Sequence, residues 1–140
     1  MWVAALVLAP VAIVSRVPLV SRGAALVYAA GSLVCHQRPE RCFHIHGRQL
    51  AVCARCTGLY ASALAGGFAA LLFGTAALTR SRARMWLGLA TVPTLVTVAL
   101  ELAGVAHPSN TTRMLSALPL GAAAAWLVIG VLRPASSRMV

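Results

Sequence analysis

Long apolar runs separated by short polar breaks dominate this chain, and the runs are too long and too uniform to be one face of a soluble helix. Leu59 to Leu78 is an uninterrupted apolar run of 20 residues. At about 1.5 Å per residue, a helix of that length crosses a hydrocarbon core of about 30 Å. Met85 to Val105 is a second run, interrupted by Pro93 and Glu101; the proline is expected to kink the helix and loosen its backbone bonding. A third run covers Met114 to Leu132, with Pro119 near its start and Trp126 within it.

The first 34 residues are divided by Arg16, Pro18 and Arg22 into two apolar pieces, of about 14 and 12 residues and each short for a full span. One crossing followed by an interfacial or re-entrant helix is the expectation, with two short tilted crossings as the alternative. Met1 to Val14 lacks the basic start and small-residue cleavage site of a secretory signal, so it reads as a membrane helix.

These runs predict an all-α fold: an integral membrane bundle of about four transmembrane helices, multi-pass in the cell membrane, with a polar Cys/His segment on one face. The expected organisation is one membrane domain over residues 1–140. It has amino-terminal membrane or interfacial helices at 1–34, the polar segment at 35–57, and transmembrane helices at 58–79, 85–105 and 114–133. Small residues crowd Ala61 to Gly67 and Gly121 to Ala125, which lets helices approach closely in lipid.

Composition agrees. Of 140 residues, 60% are hydrophobic and 10% charged, and the mean hydropathy is +0.85. Charge is one-sided, with twelve Arg, no Lys and two acidic residues, Glu40 and Glu101, for a formal net charge of +10. In a soluble protein this balance points to nucleic acid; here the arginines sit at the ends of apolar runs, where they meet headgroups, and nucleic acid is set aside. Helix order places residues 35–57 and 106–113 on one membrane face, and the Arg80, Arg82, Arg84 loop with Arg133 and Arg138 on the other. Five arginines on each face leave the positive-inside rule nearly silent. If the arginines beside the cysteines are functional, the Arg80 to Arg84 cluster becomes cytoplasmic and the cysteine segment faces outward.

Any chemistry lies between Cys35 and Thr57. All four cysteines, Cys35, Cys42, Cys53 and Cys56, and three of the four histidines, His36, His44 and His46, fall in this segment. Cys53-Ala54-Arg55-Cys56 brings two sulfurs to one turn, the spacing of a metal pair and equally of a dithiol. It also opens the surest membrane helix, where the helix N-terminus and Arg55 favour thiolate. As a metal site, Cys35, His36, Cys53 and Cys56 form a Cys3His set for zinc or a similar divalent ion. Cys35 and His36 are adjacent, so both ligate only if the backbone turns, and His44 or His46 are substitutes for His36. As a redox site, Cys53 and Cys56 are the active dithiol of a membrane thiol oxidoreductase, with Cys35 and Cys42 as a second pair. A third reading makes the segment a structural cap of a non-enzymatic membrane binding or assembly module.

Glu101 lies at the end of a membrane run, where an ionisable side chain needs a partner or a task, and Arg113 or Arg55 is its expected partner. Arg38, Arg41, Arg55 and Arg113 share one face and suit phosphate, for instance a lipid headgroup. His107 reads as a solvated interface residue, Asn110-Thr111-Thr112 as an uninformative sequon, and Trp2, Trp86 and Trp126 as interface anchors.

The motifs Cys35-His36-Gln37, Pro39-Glu40-Arg41 and Cys53-Ala54-Arg55-Cys56-Thr57-Gly58-Leu59-Tyr60 resemble the signature of a family of small prokaryotic membrane proteins, domain of unknown function 2085. The likeness extends through Pro93, Glu101, Ser109-Asn110 and Arg113, covering about residues 30 to 125. Two positions depart from the family pattern: Cys42 stands where Ser is usual, and Glu101 where Asp is usual. The resemblance therefore implies Cys35, Cys53 and Cys56 as the core set and a retained carboxylate at 101. It implies a fold but no activity. If the metal is catalytic, His36, Arg55, Glu101 and Arg113 are the candidate acid-base or charge-stabilising groups, acting on a lipid or other membrane-borne substrate.

Overall fold

Each of the three long apolar runs forms one helix of crossing length. The computed structural model describes residues 1–75 and 79–132. It comprises α1 (Trp2–Ala12), α2 (Pro18–Ser32), α3 (Ala54–Phe73), α4 (Arg80–Leu102) and α5 (Asn110–Leu132), with a 3-10 turn at Pro39–Arg41 and a two-stranded ladder of β1 (His44–Ile45) and β2 (Arg48–Gln49). Among the described residues, Ala54–Phe73, Ser81–Leu102 and Asn110–Leu132 are long and apolar enough to cross a membrane. The expected end of the first run at Leu78, and Arg133 and Arg138, lie outside the described residues.

The front of the chain is a pair of shorter helices. α1 has 11 residues and α2 has 15, or about 16 and 22 Å at the α-helical rise. Neither reaches the length of a full crossing, and the two pack together. Residues 13–17 separate them. Pro18 occupies the first turn of α2, where its missing N–H costs nothing and its fixed φ suits the helix.

α3 and α5 form the heart of the bundle. The buried positions of α3 are Ala54, Gly58, Ser62, Gly66 and Ala70, every fourth residue and all small. They meet Arg113, Ser116, Ala117 and Gly121 of α5, so the backbones nearly touch and dispersion supplies the attraction that lipid-facing apolar surface cannot. A Cβ at Gly66 would lie 2.6 Å from the Ala122 carbonyl oxygen, whereas one at Gly88 on α4 would meet nothing within 4 Å. Gly66→Val is therefore expected to cost about 1–3 kcal/mol through overpacking. In a thermal-unfolding comparison in detergent, it should melt below the wild type while Gly88→Ala does not.

The pairing of Gly58 with Met114 and of Gly66 with Ala122 makes α3 and α5 parallel, both starting at the polar face. α4 runs back between those starts and packs on α5. It continues through Pro93 as one helix. Polar side chains hold it: Thr94 Oγ1 donates to the Ser116 carbonyl at 2.8 Å and Thr97 Oγ1 to Ser116 Oγ at 3.2 Å. Exposed Leu64, Phe68, Leu72, Leu95 and Val96 leave an apolar exterior suited to lipid.

Candidate functional site

The polar segment is folded by its own hydrogen bonds, which also place the cysteines. Gln37 adopts a left-handed φ of 48°, turning the chain sharply just after Cys35. Its Nε2 then donates to the Tyr28 carbonyl at 2.8 Å and to the Ala51 carbonyl at 2.7 Å. Tyr28 Oη donates to the Gln49 carbonyl at 2.6 Å, tying the end of α2 to β2. Gly31 is required here, because a Cβ would strike the Ala51 carbonyl and lie 2.9 Å from Gln37 Nε2. The hairpin closes through His46 and Gly47, with φ of 50° and 74°. Positive φ at both loop residues is the type I′ pattern that matches strand twist. The polar segment thus carries a small β element in an otherwise helical chain.

These ties bring Cys35 against the start of α3. The backbone N–H of Cys53 donates to Cys35 Sγ at 3.2 Å, Cys53 is the N-cap of α3, and Cys56 sits one turn on. The sulfurs of Cys35, Cys53 and Cys56 all lie within 4.8 Å of one another. Hydrogen bonding from the Cys56 thiol, aided by the backbone N–H groups of Cys56 and Arg55 and by Cys35, pulls the Cys53 thiol down to about 5 against its own desolvation. Cys42 differs: it is fully buried, and burial, followed by its proximity to Cys53 and Cys35, pushes its thiol up to about 11. It does not belong to the three-sulfur group. All four thiols are free.

A second cluster adjoins the first. Glu101, its side chain 8% exposed, accepts from Arg55 at 2.8 Å, Arg113 at 2.9 Å and Arg41 at 3.0 Å. Both partners expected for Glu101 reach it, and Arg41 is a third. Asn110 completes the frame, with Nδ2 donating to the Cys42 carbonyl at 3.0 Å and Oδ1 accepting from Arg113 at 3.0 Å. One carboxylate therefore gathers α3, α4, α5 and the 3-10 turn of the cap. A cavity of about 260 Å³ opens where the two clusters meet, lined by Cys35, Cys53 and Cys56 together with His36, Arg38, Arg41, Arg55 and Arg113.

Of the sequence-selected ligands, His36 lines this cavity but stands outside the sulfur group, while His44 and His46 are exposed on the hairpin. Asn110 entered the sequence reading as a sequon and as part of the family resemblance but without a role, although its spacing of three from Arg113 on one helix face was a usable signal. Arg41 was grouped with Arg38, Arg55 and Arg113 as a face suited to phosphate, and nothing in its local pattern pointed to Glu101.

Comparison with known proteins bears on the same region. A family model described as a predicted membrane protein (DUF2085) matches residues 35–127. The chain belongs to the DUF2085 family. The DUF2085 match begins at Cys35 and ends within α5, so it contains every residue of both clusters and none of α1 or α2. An uncharacterized protein of Methanothermobacter thermautotrophicus is 34% identical over 89 residues, 63% of this chain and 78% of that protein. An uncharacterized protein of Methanocaldococcus jannaschii is 55% identical over 40 residues, 29% of this chain. The chain spans about a quarter of that second protein's length, 26%. No solved structure matches.

Proposed function

We propose that this chain is a multi-pass membrane metalloprotein in which Cys35, Cys53 and Cys56 would hold a zinc-like divalent ion beside the arginine-lined cavity. The observation that carries this reading is the convergence of three sulfurs within 4.8 Å from two separate segments. Zinc–sulfur bonds of about 2.3 Å in a tetrahedron place sulfurs about 3.8 Å apart, a spacing this group reaches with small side-chain shifts. The Cys53 N–H aimed at Cys35 Sγ is the outer hydrogen bond that orients and stabilises a ligating thiolate.

Three protein ligands and an open position are the pattern of a catalytic ion, which acts as a Lewis acid when bound. His36 is the cavity residue suited to handle a proton, and Arg55 and Arg113 are suited to stabilise developing negative charge. Glu101 has a positioning role in this reading. Both of its oxygens are occupied by guanidinium groups, which leaves it poorly suited to carry protons.

A membrane thiol oxidoreductase is the second reading, supported by the depressed Cys53 thiol beside Cys56 at a helix N-terminus. Cys42 supports it poorly as a relay thiol, being buried and hard to ionise. The test compares cobalt(II)-loaded His36→Ala and Cys56→Ser by their thiolate charge-transfer absorption. His36→Ala is expected to keep the band and about one equivalent of metal, and Cys56→Ser to lose both. Equal retention in Cys56→Ser contradicts the three-thiolate site.

A further inference from the structure

The cavity walls carry more positive charge than their partners balance. Four arginines, Arg38, Arg41, Arg55 and Arg113, line it, and the acidic side chain that pairs with any of them among the described residues is Glu101. Glu101 does not line the cavity, so the arginines stand between it and the open space. Arg38 makes no side-chain hydrogen bond or ion pair among the described residues, and Glu40 beside it is exposed. A divalent ion on three thiolates carries one net negative charge, so even with metal bound two positive charges remain.

Two donors deepen the mismatch. Nε of Arg55 and Nε of Arg113 are buried and without a partner, and Arg113 as a residue is 8% exposed. A buried guanidinium N–H seldom goes unpaired, because its desolvation is recovered only by an acceptor. Guanidinium forks match tetrahedral oxyanions through paired N–H···O bonds, and a divalent phosphate ester balances the two remaining charges.

We propose that this cavity is a binding site for a phosphate group, carried by a lipid headgroup or by a soluble phosphate compound, with Arg38, Arg55 and Arg113 as its principal donors. The site goes beyond the metal reading and stands whether or not the thiolates hold an ion. Its place at the polar end of the bundle, with exposed Val34 at the cavity lip, brings it within reach of headgroups.

The experiment titrates full-length protein in a neutral maltoside detergent with inorganic phosphate and, separately, with short-chain phosphatidic acid, using short-chain phosphatidylcholine as the control. Saturable binding with a Kd below about 1 mM is expected for at least one phosphate probe, weakened about tenfold or more in Arg38→Gln. Arg38 forms no part of the Glu101 cluster, so this variant is expected to fold; Arg113→Lys, which keeps the charge but not the fork, is the second variant. Phosphatidic acid binding tenfold or more tighter than phosphate identifies a lipid source, and comparable affinities identify a soluble one. Cys56→Ser, which removes the proposed metal site, is expected to retain phosphate binding, so the two readings fail separately. No saturable binding of either phosphate probe, affinity in both arginine variants equal to wild type, or phosphatidylcholine binding as tightly as phosphatidic acid overturns the proposal.

Discussion

Glu101→Gln is expected to destabilise the protein by about 3–5 kcal/mol, the usual cost of removing one partner from a buried ion pair. The substitution keeps shape and volume but removes the only acidic charge that faces Arg41, Arg55 and Arg113 among the described residues. Those three guanidinium groups would then repel one another at the end of a membrane helix, with Arg113 almost wholly buried and ionised groups there costly. Because the carboxylate joins α4 to α3, α5 and the 3-10 turn, the loss should appear as earlier unfolding of the whole bundle in detergent. Glu101→Asp keeps the charge and should lose much less. A glutamine variant that unfolds with the wild type contradicts the clamp.

Cys35→Ser is the second large effect. Cys35 is the one proposed ligand that lies far in sequence from the start of α3, so its sulfur closes the loop between α2 and the Cys53-Cys56 pair. The cap has a small apolar core, with Cys35, Leu50, Ala51 and Val52 buried, and a metal bound across it contributes folding free energy directly. Metal content should fall from about one equivalent to below about a tenth. Hydrogen exchange should accelerate across residues 35–53 while α3 and α5 stay protected, since their small-residue packing does not involve the cap. Unchanged exchange in the cap and unchanged metal content together would falsify a ligand role for Cys35.

The sequence and the structure agree best where a single physical rule decides. Three runs of about 20 apolar residues can only be helices in lipid, because every backbone polar group must be satisfied within the segment, and α3, α4 and α5 follow them. The clustering of cysteines located the polar cap, and a membrane carboxylate at 101 required a cationic partner. Agreement fades where several weak signals compete. Arg16, Pro18 and Arg22 divide the front of the chain into two short pieces without showing that these pack against each other.

Long-range placement was the least legible part. Gln37 fixes the Cys35 loop by bonding carbonyls 9 and 14 residues away, and its place in the Cys35-His36-Gln37 motif gave no sign of those partners. Asn110 reaches Cys42 across 68 positions, and no local pattern foretells that contact. His36 was drawn into the ligand set by adjacency to Cys35, yet the turn at Gln37 leaves it on the cavity wall beside the sulfurs.

The most direct measurement is elemental analysis of gently purified wild-type protein, made without chelators and beside Cys53→Ser. The account predicts about one equivalent of zinc or iron in the wild type, absent from the variant. A metal-free wild type whose thiol titration shows a reversible Cys53–Cys56 disulfide would contradict it and favour the oxidoreductase.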